Sequence, residues 1–224
     1  MKTLLKICGM KHNVAEVAAI QPDYMGFIFY EKSPRFFDGE VIPKLPAGIK
    51  KVGVFVDASV EEILEKVRKY NLNIIQLHGD ESVDFCKKLK EGLDGARSDK
   101  SDTIEIWKVF SIRDKFDFEI LKSYESIVDK FLFDTKGKEK GGNGFTFNWE
   151  ILKNYPSKKP FILSGGIGLE EIESLKNLLK TDLPIHAIDV NSKFETAPGM
   201  KDVSALKSFT EVLKHYLKEP PAKT

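Results

Sequence analysis

The sequence is poor in cysteine, lacks long apolar runs and carries almost no net charge. Cys8 and Cys86 are the only cysteines in 224 residues, which excludes the disulfide framework of small secreted domains. There are 35 basic and 34 acidic residues, and a net charge of +1 gives no reason to expect nucleic acid or an anionic membrane as a partner. No window approaches the ~20 apolar residues of a membrane span.

Signals for metal binding and export are missing as well. The four histidines are scattered and no C-x-x-C pair occurs, so the spacing predicts no metal site. The segment 1–6 has neither the apolar region nor the small-residue cleavage site of a signal peptide. We therefore expect a reduced, soluble, cytoplasmic protein.

Short apolar runs alternate with amphipathic stretches along the whole chain. Each of the eight runs has the length of a buried strand and is bounded by Gly, Pro, Asp or Asn. The runs are 4–8, 24–30, 51–56, 74–77, 104–110, 130–134, 160–163 and 186–190. Helical periodicity is clear over 60–70, 82–93, 169–179 and 203–217, shorter over 115–124 and 147–155, and weak over 38–45 because of Pro43.

The alternation predicts the fold class. Strand and helix patterns that alternate at a spacing of roughly 25 residues favour a parallel α/β sheet. Eight such units in a chain of this length favour closure into a (β/α)8 barrel. No linker divides the sequence, so we expect one domain over residues 1–218 and a frayed tail over 219–224.

Polar residues recur with a period of two inside the predicted strands. Lys6 and Cys8 share one strand face, and Gln76 with His78, Asp134 and Asp189 occupy similar faces of later strands. We expect these faces to point into the barrel, with Cys8, His78, Asp134 and Asp189 near the C-terminal rim where barrel enzymes have their active sites. A lone cysteine can be core packing and a terminal aspartate can be a cap, but the two on one rim favour catalysis.

Glycine-rich loops form a second group of candidates. Gly141-Gly142-Asn143-Gly144 follows the sixth predicted strand, Ser164-Gly165-Gly166-Ile167-Gly168 the seventh, and Asn191-Ser192 the eighth. Glycine lets backbone N–H groups approach an anion, and the loops after strands 7 and 8 form the usual phosphate site of a barrel. One such loop could be only a tight turn; several together predict a phosphate site. No dinucleotide or P-loop fingerprint is present.

At these positions the chain resembles the phosphoribosylanthranilate isomerase family. The similarity runs in family order from residue 6 to about residue 202 and is highly specific as a set. The matching segments include Lys6-Ile7-Cys8-Gly9-Met10, Lys32-Ser33-Pro34-Arg35, Gln76-Leu77-His78-Gly79-Asp80-Glu81, Asp134-Thr135-Lys136, Leu163-Ser164-Gly165-Gly166 and Asp189-Val190-Asn191-Ser192.

The resemblance implies an Amadori rearrangement of a phosphorylated small molecule, without cofactor or metal, by a monomer or homodimer. It implies that Cys8 is the catalytic base, that Asp134 is the acid and that Arg35 holds the anthranilate carboxylate. Asp189 is expected to meet the ribose hydroxyls. The phosphate is expected at Gly142, Gly144, Ser164, Gly165, Gly166, Asn191 and Ser192.

Two positions raise separate questions. A thiol is mostly protonated at neutral pH, so Cys8 needs a lowered pKa or a nearby positive charge, and Lys6 on the same face is the candidate. Alternatively, Lys6 pairs with an internal carboxylate and has no effect on Cys8. Lys193 stands where the family usually has glycine, and we expect it to point to solvent.

Alternative functions are another phosphate-binding barrel isomerase and a sugar-phosphate-binding barrel that has no catalytic activity.

Overall fold

Eight parallel strands close into a barrel in the computed structural model, which describes residues 3–93, 103–135 and 146–218. Neighbours along the chain are neighbours in the sheet, and β8 pairs back onto β1. The predicted (β/α)8 barrel is confirmed. The strands are β1 (Leu4–Ile7), β2 (Tyr24–Ile28), β3 (Lys50–Phe55), β4 (Ile74–Leu77), β5 (Glu105–Ile112), β6 (Lys130–Thr135), β7 (Phe161–Leu163) and β8 (Ile185–Val190).

The helical layer is less regular than the strands. The α-helices are α1 (Val14–Ala18), α2 (Val60–Tyr70), α3 (Val83–Leu93), α4 (Ile172–Leu179) and α5 (Val203–Lys218). After β5 and β6 the chain forms 3-10 helices instead, at Phe118–Ser123 and Trp149–Asn154, and a third spans Ser192–Phe194. A hairpin of β9 (Glu195–Ala197) and β10 (Met200–Lys201) follows β8.

Three predictions about the helices were wrong. No helix forms over 38–45, because Pro43 and the following Pro46 lack backbone donors and would clash with a preceding helical turn. The patterns over 115–124 and 147–155 were assigned as ordinary helices, but the segments tighten into 3-10 turns. The short α1 was not predicted, because five residues are too few to show helical periodicity.

Helix α2 shows how local sequence sets an element's ends. The Ser59 hydroxyl accepts from the Glu62 backbone N–H at 3.2 Å, and the Glu62 carboxylate accepts from the Ser59 N–H at 2.7 Å. This capping box satisfies two backbone donors that the first turn leaves without partners. The helix stops where Asn71 takes a left-handed conformation with φ of 51°.

The core has two parts, one outside the sheet and one inside the barrel. The outer part packs the strands against the helices and contains Phe131, Phe133 and Cys86. The inner part is smaller and comprises Tyr24, Val52, Ile74, Trp107, Val109, Leu132, Ile162 and Ala187. Side chains alternate between the two faces along a strand. A residue two positions after an inner residue therefore also points into the barrel, but lies nearer the carboxyl end.

The amino-terminal end of the barrel holds a half-buried histidine. The Tyr24 hydroxyl lies 2.8 Å from His186 Nε2, and Trp107 packs edge-on against the tyrosine ring. Burial, with a smaller contribution from the charge of Lys130, lowers the pKa of His186 to about 4. His186 is therefore neutral in the folded protein at neutral pH.

The low pKa of His186 predicts a loss of stability in mild acid. The unfolded chain binds the His186 proton with a pKa near 6.5, so folding stability is complete above that pH and declines as the pH falls toward 4. In urea unfolding at pH 7 and pH 5, we expect His186→Gln to lose about 1 kcal/mol less than wild type between the two pH values, allowing for solvent screening. Equal losses would contradict the assignment.

Within the described ranges, no helix is long and apolar enough to span a membrane. No group of three or more potential ligands there could hold a metal ion. The predicted frayed tail, 219–224, lies outside the described residues.

Candidate active site

One pocket opens at the carboxyl ends of the barrel strands and collects most of the residues singled out in the sequence. The lining includes Cys8, Arg35, Gln76, His78, Asp134, Ser164, Gly165, Gly166, Asp189, Asn191, Ser192 and Lys193. Lys6 is fully buried beneath it, one inward position before Cys8. The candidate phosphate residues Gly142 and Gly144 lie outside the described residues.

Cys8 directly follows β1 and is bordered by two glycines, Gly9 and Gly26. Its backbone N–H donates to Val190 O at 2.9 Å, which continues the pairing of β1 with β8. A Cβ on Gly26 would lie 2.7 Å from the Cys8 sulfur, so the thiol occupies space that only a glycine leaves on β2. Gly9 has φ of +71°, a backbone conformation that turns the chain away immediately after the thiol.

Lys6 pairs with a carboxylate and also acts on the thiol. Its Nζ donates to Asp189 Oδ2 at 2.7 Å, with both side chains buried. Burial alone would lower the pKa of Lys6, but the charges of Asp189 and Cys8 raise it, so Lys6 stays protonated. The pairing of Lys6 with an internal carboxylate is present, and its role toward Cys8 stays a prediction.

The thiol itself is not ionised in the free protein. Burial raises the pKa of Cys8 above its ordinary value, while the charge and hydrogen bonding of Lys6 and the charge of Lys201 lower it. The nearby positive charge expected from the sequence is present, but it does not overcome desolvation. The free protein therefore has a neutral thiol close to the protonated amine of Lys6.

Asp134 is the inward-facing residue near the end of β6. It is buried, and its Oδ2 lies 3.2 Å from His78 Nε2, although the two are not aligned as a hydrogen bond. A Cβ on Gly165 would lie 2.8 Å from Asp134 Oδ1, so the loop after β7 packs directly on this carboxyl group. The contact places a second titratable group, the imidazole, beside the candidate acid.

His78 is positioned by a buried ion pair on the outer side of the barrel. Glu81 accepts hydrogen bonds from the backbone N–H groups of Gly79 and Asp57, at 3.0 and 3.1 Å. Lys108 Nζ donates to the same carboxylate at 3.0 Å and to Gly79 O at 2.8 Å. These contacts fix the loop that begins at His78. The sequence placed His78 on the rim without giving it a role.

The loop after β7 turns through two consecutive glycines with left-handed backbone conformations. Gly165 and Gly166 have φ of +92° and +68°, which residues with a side chain rarely adopt. Together with Asn191 and Ser192 they border one side of the pocket. Lys193 is exposed at its rim, as expected, and its Nζ lies 3.5 Å from Glu170 Oε2. It does not have a positive φ, so its backbone is unstrained.

Arg35 reaches the pocket from the segment after β2. Its side chain is bound by Glu195, which in turn contacts Lys201 Nζ at 2.7 Å. Neither Glu195 nor Lys201 was predicted from the sequence as a site residue. The available signal was two short extended segments around Pro198-Gly199, which is the pattern of a hairpin.

A closed (β/α)8 barrel with a buried thiol, a buried carboxyl group and a glycine turn at the carboxyl ends of its strands has the arrangement of an acid–base barrel enzyme. Residues 5–212 match the family described as N-(5'-phosphoribosyl)anthranilate (PRA) isomerase. The chain is 40% identical to the N-(5'-phosphoribosyl)anthranilate isomerase of Parabacteroides distasonis, over 95% of this chain and 94% of that protein. The chain belongs to this family.

Solved structures agree with the sequence comparison. The chain is similar to phosphoribosyl anthranilate isomerase from Thermotoga maritima, with a TM-score of 0.78 and 30% identity over 95% of this chain and 99% of that one. A second phosphoribosyl anthranilate isomerase structure, at TM-score 0.74 and 27% identity with the same coverage, is a complex with reduced 1-(o-carboxyphenylamino)-1-deoxyribulose 5-phosphate. These matches set aside the alternative of a different phosphate-binding barrel isomerase.

Proposed function

We propose that Cys8 and Asp134 carry out the isomerisation for which the family is named, in tryptophan biosynthesis. The reaction converts N-(5-phosphoribosyl)anthranilate, an aminoaldose, into 1-(2-carboxyphenylamino)-1-deoxyribulose 5-phosphate, an aminoketose. The observation that carries the assignment is that a thiol and a carboxyl group from β-strands on different sides of the barrel line one pocket. The chemistry needs one acid and one base, and both are present.

The mechanism divides into two proton transfers. Asp134 donates a proton to the ribose ring oxygen while the C1′–O bond breaks, and the anilino nitrogen lone pair forms the C1′=N bond of a protonated Schiff base. Cys8, as thiolate, then removes the C2′ proton. The C–H electron pair becomes the C1′=C2′ double bond and neutralises the iminium nitrogen, which gives an enolamine that tautomerises to the ketone. General acid and base catalysis of this kind contributes typically about 100- to 10 000-fold each.

Substrate binding follows from the charges around the pocket. We assign the ring carboxylate to Arg35, and the phosphate to Ser164, Gly165, Gly166, Asn191 and Ser192, with Gly142 and Gly144 added from the family resemblance. Asp189 is assigned to the ribose hydroxyls. In support, Asp189 Oδ1 is buried at the pocket and has no hydrogen-bond partner among the described residues, so it can accept from a hydroxyl group.

Lys6 gives this mechanism a pH signature. Activity that depends on the Cys8 thiolate should rise with pH, because burial raises the pKa of this thiol. Since Lys6 lowers that pKa, Lys6→Met should move the rise in kcat/KM to higher pH. The measurement is a pH–rate profile of both proteins. A profile that does not move would contradict the role of Lys6.

The assay uses substrate generated in situ and follows the decrease in anthranilate fluorescence. We expect turnover by the wild-type protein without added metal or cofactor. A folded protein that binds the reduced product analogue without turnover would instead favour the remaining alternative, a barrel that binds sugar phosphates without catalysis. We place the reaction in the cytoplasm and expect a monomer or homodimer.

A further inference from the structure

The β9–β10 hairpin brings two buried charges to the side of the pocket. Glu195 begins β9 and Lys201 ends β10, and their side chains are 4% and 0% exposed. Buried charges are costly unless they are paired, so a hairpin that buries two of them beside a binding pocket requires an explanation. The ion pairs that Glu195 and Lys201 make give that explanation.

Glu195 binds one edge of the Arg35 guanidinium group. Arg35 Nε donates to Glu195 Oε1 and Oε2 at 3.0 and 2.9 Å, and Nη2 donates to Oε2 at 2.7 Å. The guanidinium has five N–H groups in a rigid plane. Glu195 therefore leaves the two N–H groups of Nη1 and one of Nη2, which form a second edge that fits a carboxylate in two-point contact.

Lys201 holds Glu195 in place and ties it to the end of the barrel. Its Nζ donates to Glu195 Oε1 and to Asn191 Oδ1, each at 2.7 Å, and to Asn191 O at 3.3 Å. Burial would raise the pKa of Glu195, but hydrogen bonds from Arg35 and the charge of Lys201 hold it below its usual value. The carboxylate is thus ionised between two cations.

The same group packs against the backbone that carries the thiol. A Cβ on Gly9 would lie 2.9 Å from Arg35 Cδ and 2.5 Å from Asn191 Oδ1. Arg35 and Asn191 therefore lie directly on the residue that follows Cys8. An orientation imposed on Arg35 fixes the distance between a bound carboxylate and the sulfur atom.

We propose that Glu195 and Lys201 are positioning residues that orient Arg35, so that its free edge selects a sugar phosphate whose arylamine ring carries a carboxylate. The inference rests on the proposed function and identifies what sets its specificity. Glu195 does not touch the substrate; it acts through Arg35. Lys201 acts through Glu195 and Asn191.

The test compares two ligands by calorimetry. One is reduced 1-(o-carboxyphenylamino)-1-deoxyribulose 5-phosphate, and the other is the same compound without the ring carboxylate. We expect Glu195→Gln to weaken binding of the carboxylated ligand by about tenfold or more, as for the loss of a hydrogen bond to a charged group, and to change the other ligand by less than about twofold. A purely structural role would weaken both equally.

Three further variants make the result specific. In an Arg35→Met background, Glu195→Gln should cause no additional loss of preference for the carboxylated ligand. Glu195→Gln with Lys201→Met removes two opposite charges together, so it tests the same loss of preference if the single variant folds poorly. Asp38→Asn, in the exposed pair with Lys11, is the matched control and should retain the preference.

The outcomes separate this inference from the proposed function. Normal wild-type turnover with equal weakening of both ligands in the Glu195 variants would overturn the inference alone. A folded wild-type protein that neither turns over substrate nor binds either ligand would overturn the proposed function, and this inference with it.

Discussion

Replacing Cys8 with alanine is expected to lower kcat by about 100- to 10 000-fold, because the variant lacks the proposed base that removes the C2′ proton. Lys6 cannot substitute, since it stays protonated beside Asp189. The small side chain leaves the barrel intact, so binding of the reduced product analogue should persist. Stopped-flow or steady-state measurement of anthranilate fluorescence gives kcat, and calorimetry gives the affinity for the reduced product analogue.

Cys86 provides the control for this prediction. It is the other buried cysteine, on the core face of α3, away from the pocket lining. Cys86→Ala should retain kcat and lose about 1 kcal/mol of stability, the cost of a small cavity. A Cys8→Ala enzyme with full activity would remove the thiol from the mechanism.

Replacing Asp134 with asparagine is expected to reduce kcat by a similar factor, about 100- to 10 000-fold. The amide has the size of the carboxyl group but has no acidic proton to give to the ring oxygen. Ring opening should then become the slow step. Because the substituted side chain still fits beneath Gly165 and beside His78, the fold should be preserved.

The control for Asp134 is an aspartate just beyond the neighbouring, preceding strand. Asp114 follows β5 and its side chain is 87% exposed. Asp114→Asn should leave kcat unchanged. An Asp134→Asn variant whose kcat/KM falls entirely through KM would show that the carboxyl group binds substrate and does not donate a proton.

The sequence predicted the strands more accurately than the helices, for a physical reason. Strands of a closed barrel are buried on both faces, so β4 appears as a short apolar run with the bounds that the structure has. The apolar pattern over 147–155 is also regular. Because 3-10 and α turns share an apolar spacing of three to four residues, this pattern could not distinguish the two kinds of helix.

The candidate site also has a part that the sequence could predict and a part that it could not. A period of two was enough to predict that Cys8, His78, Asp134 and Asp189 face inward near one rim, and the pocket lining confirms that placement. The sequence could not show that Lys6 contacts both Asp189 and Cys8. That arrangement depends on the register between β1 and β8, where Lys6 lies opposite Asp189.

Local periodicity and backbone freedom are enough to predict the barrel, the inward faces of its strands and the glycines at its rim. The protonation of the thiol and the partner of Arg35 depend instead on contacts that form only in the folded protein. Desolvation of Cys8 depends on the entire surroundings of the sulfur atom, and Glu195 reaches Arg35 across 160 residues of chain. Interactions between residues so far apart leave no mark in local spacing.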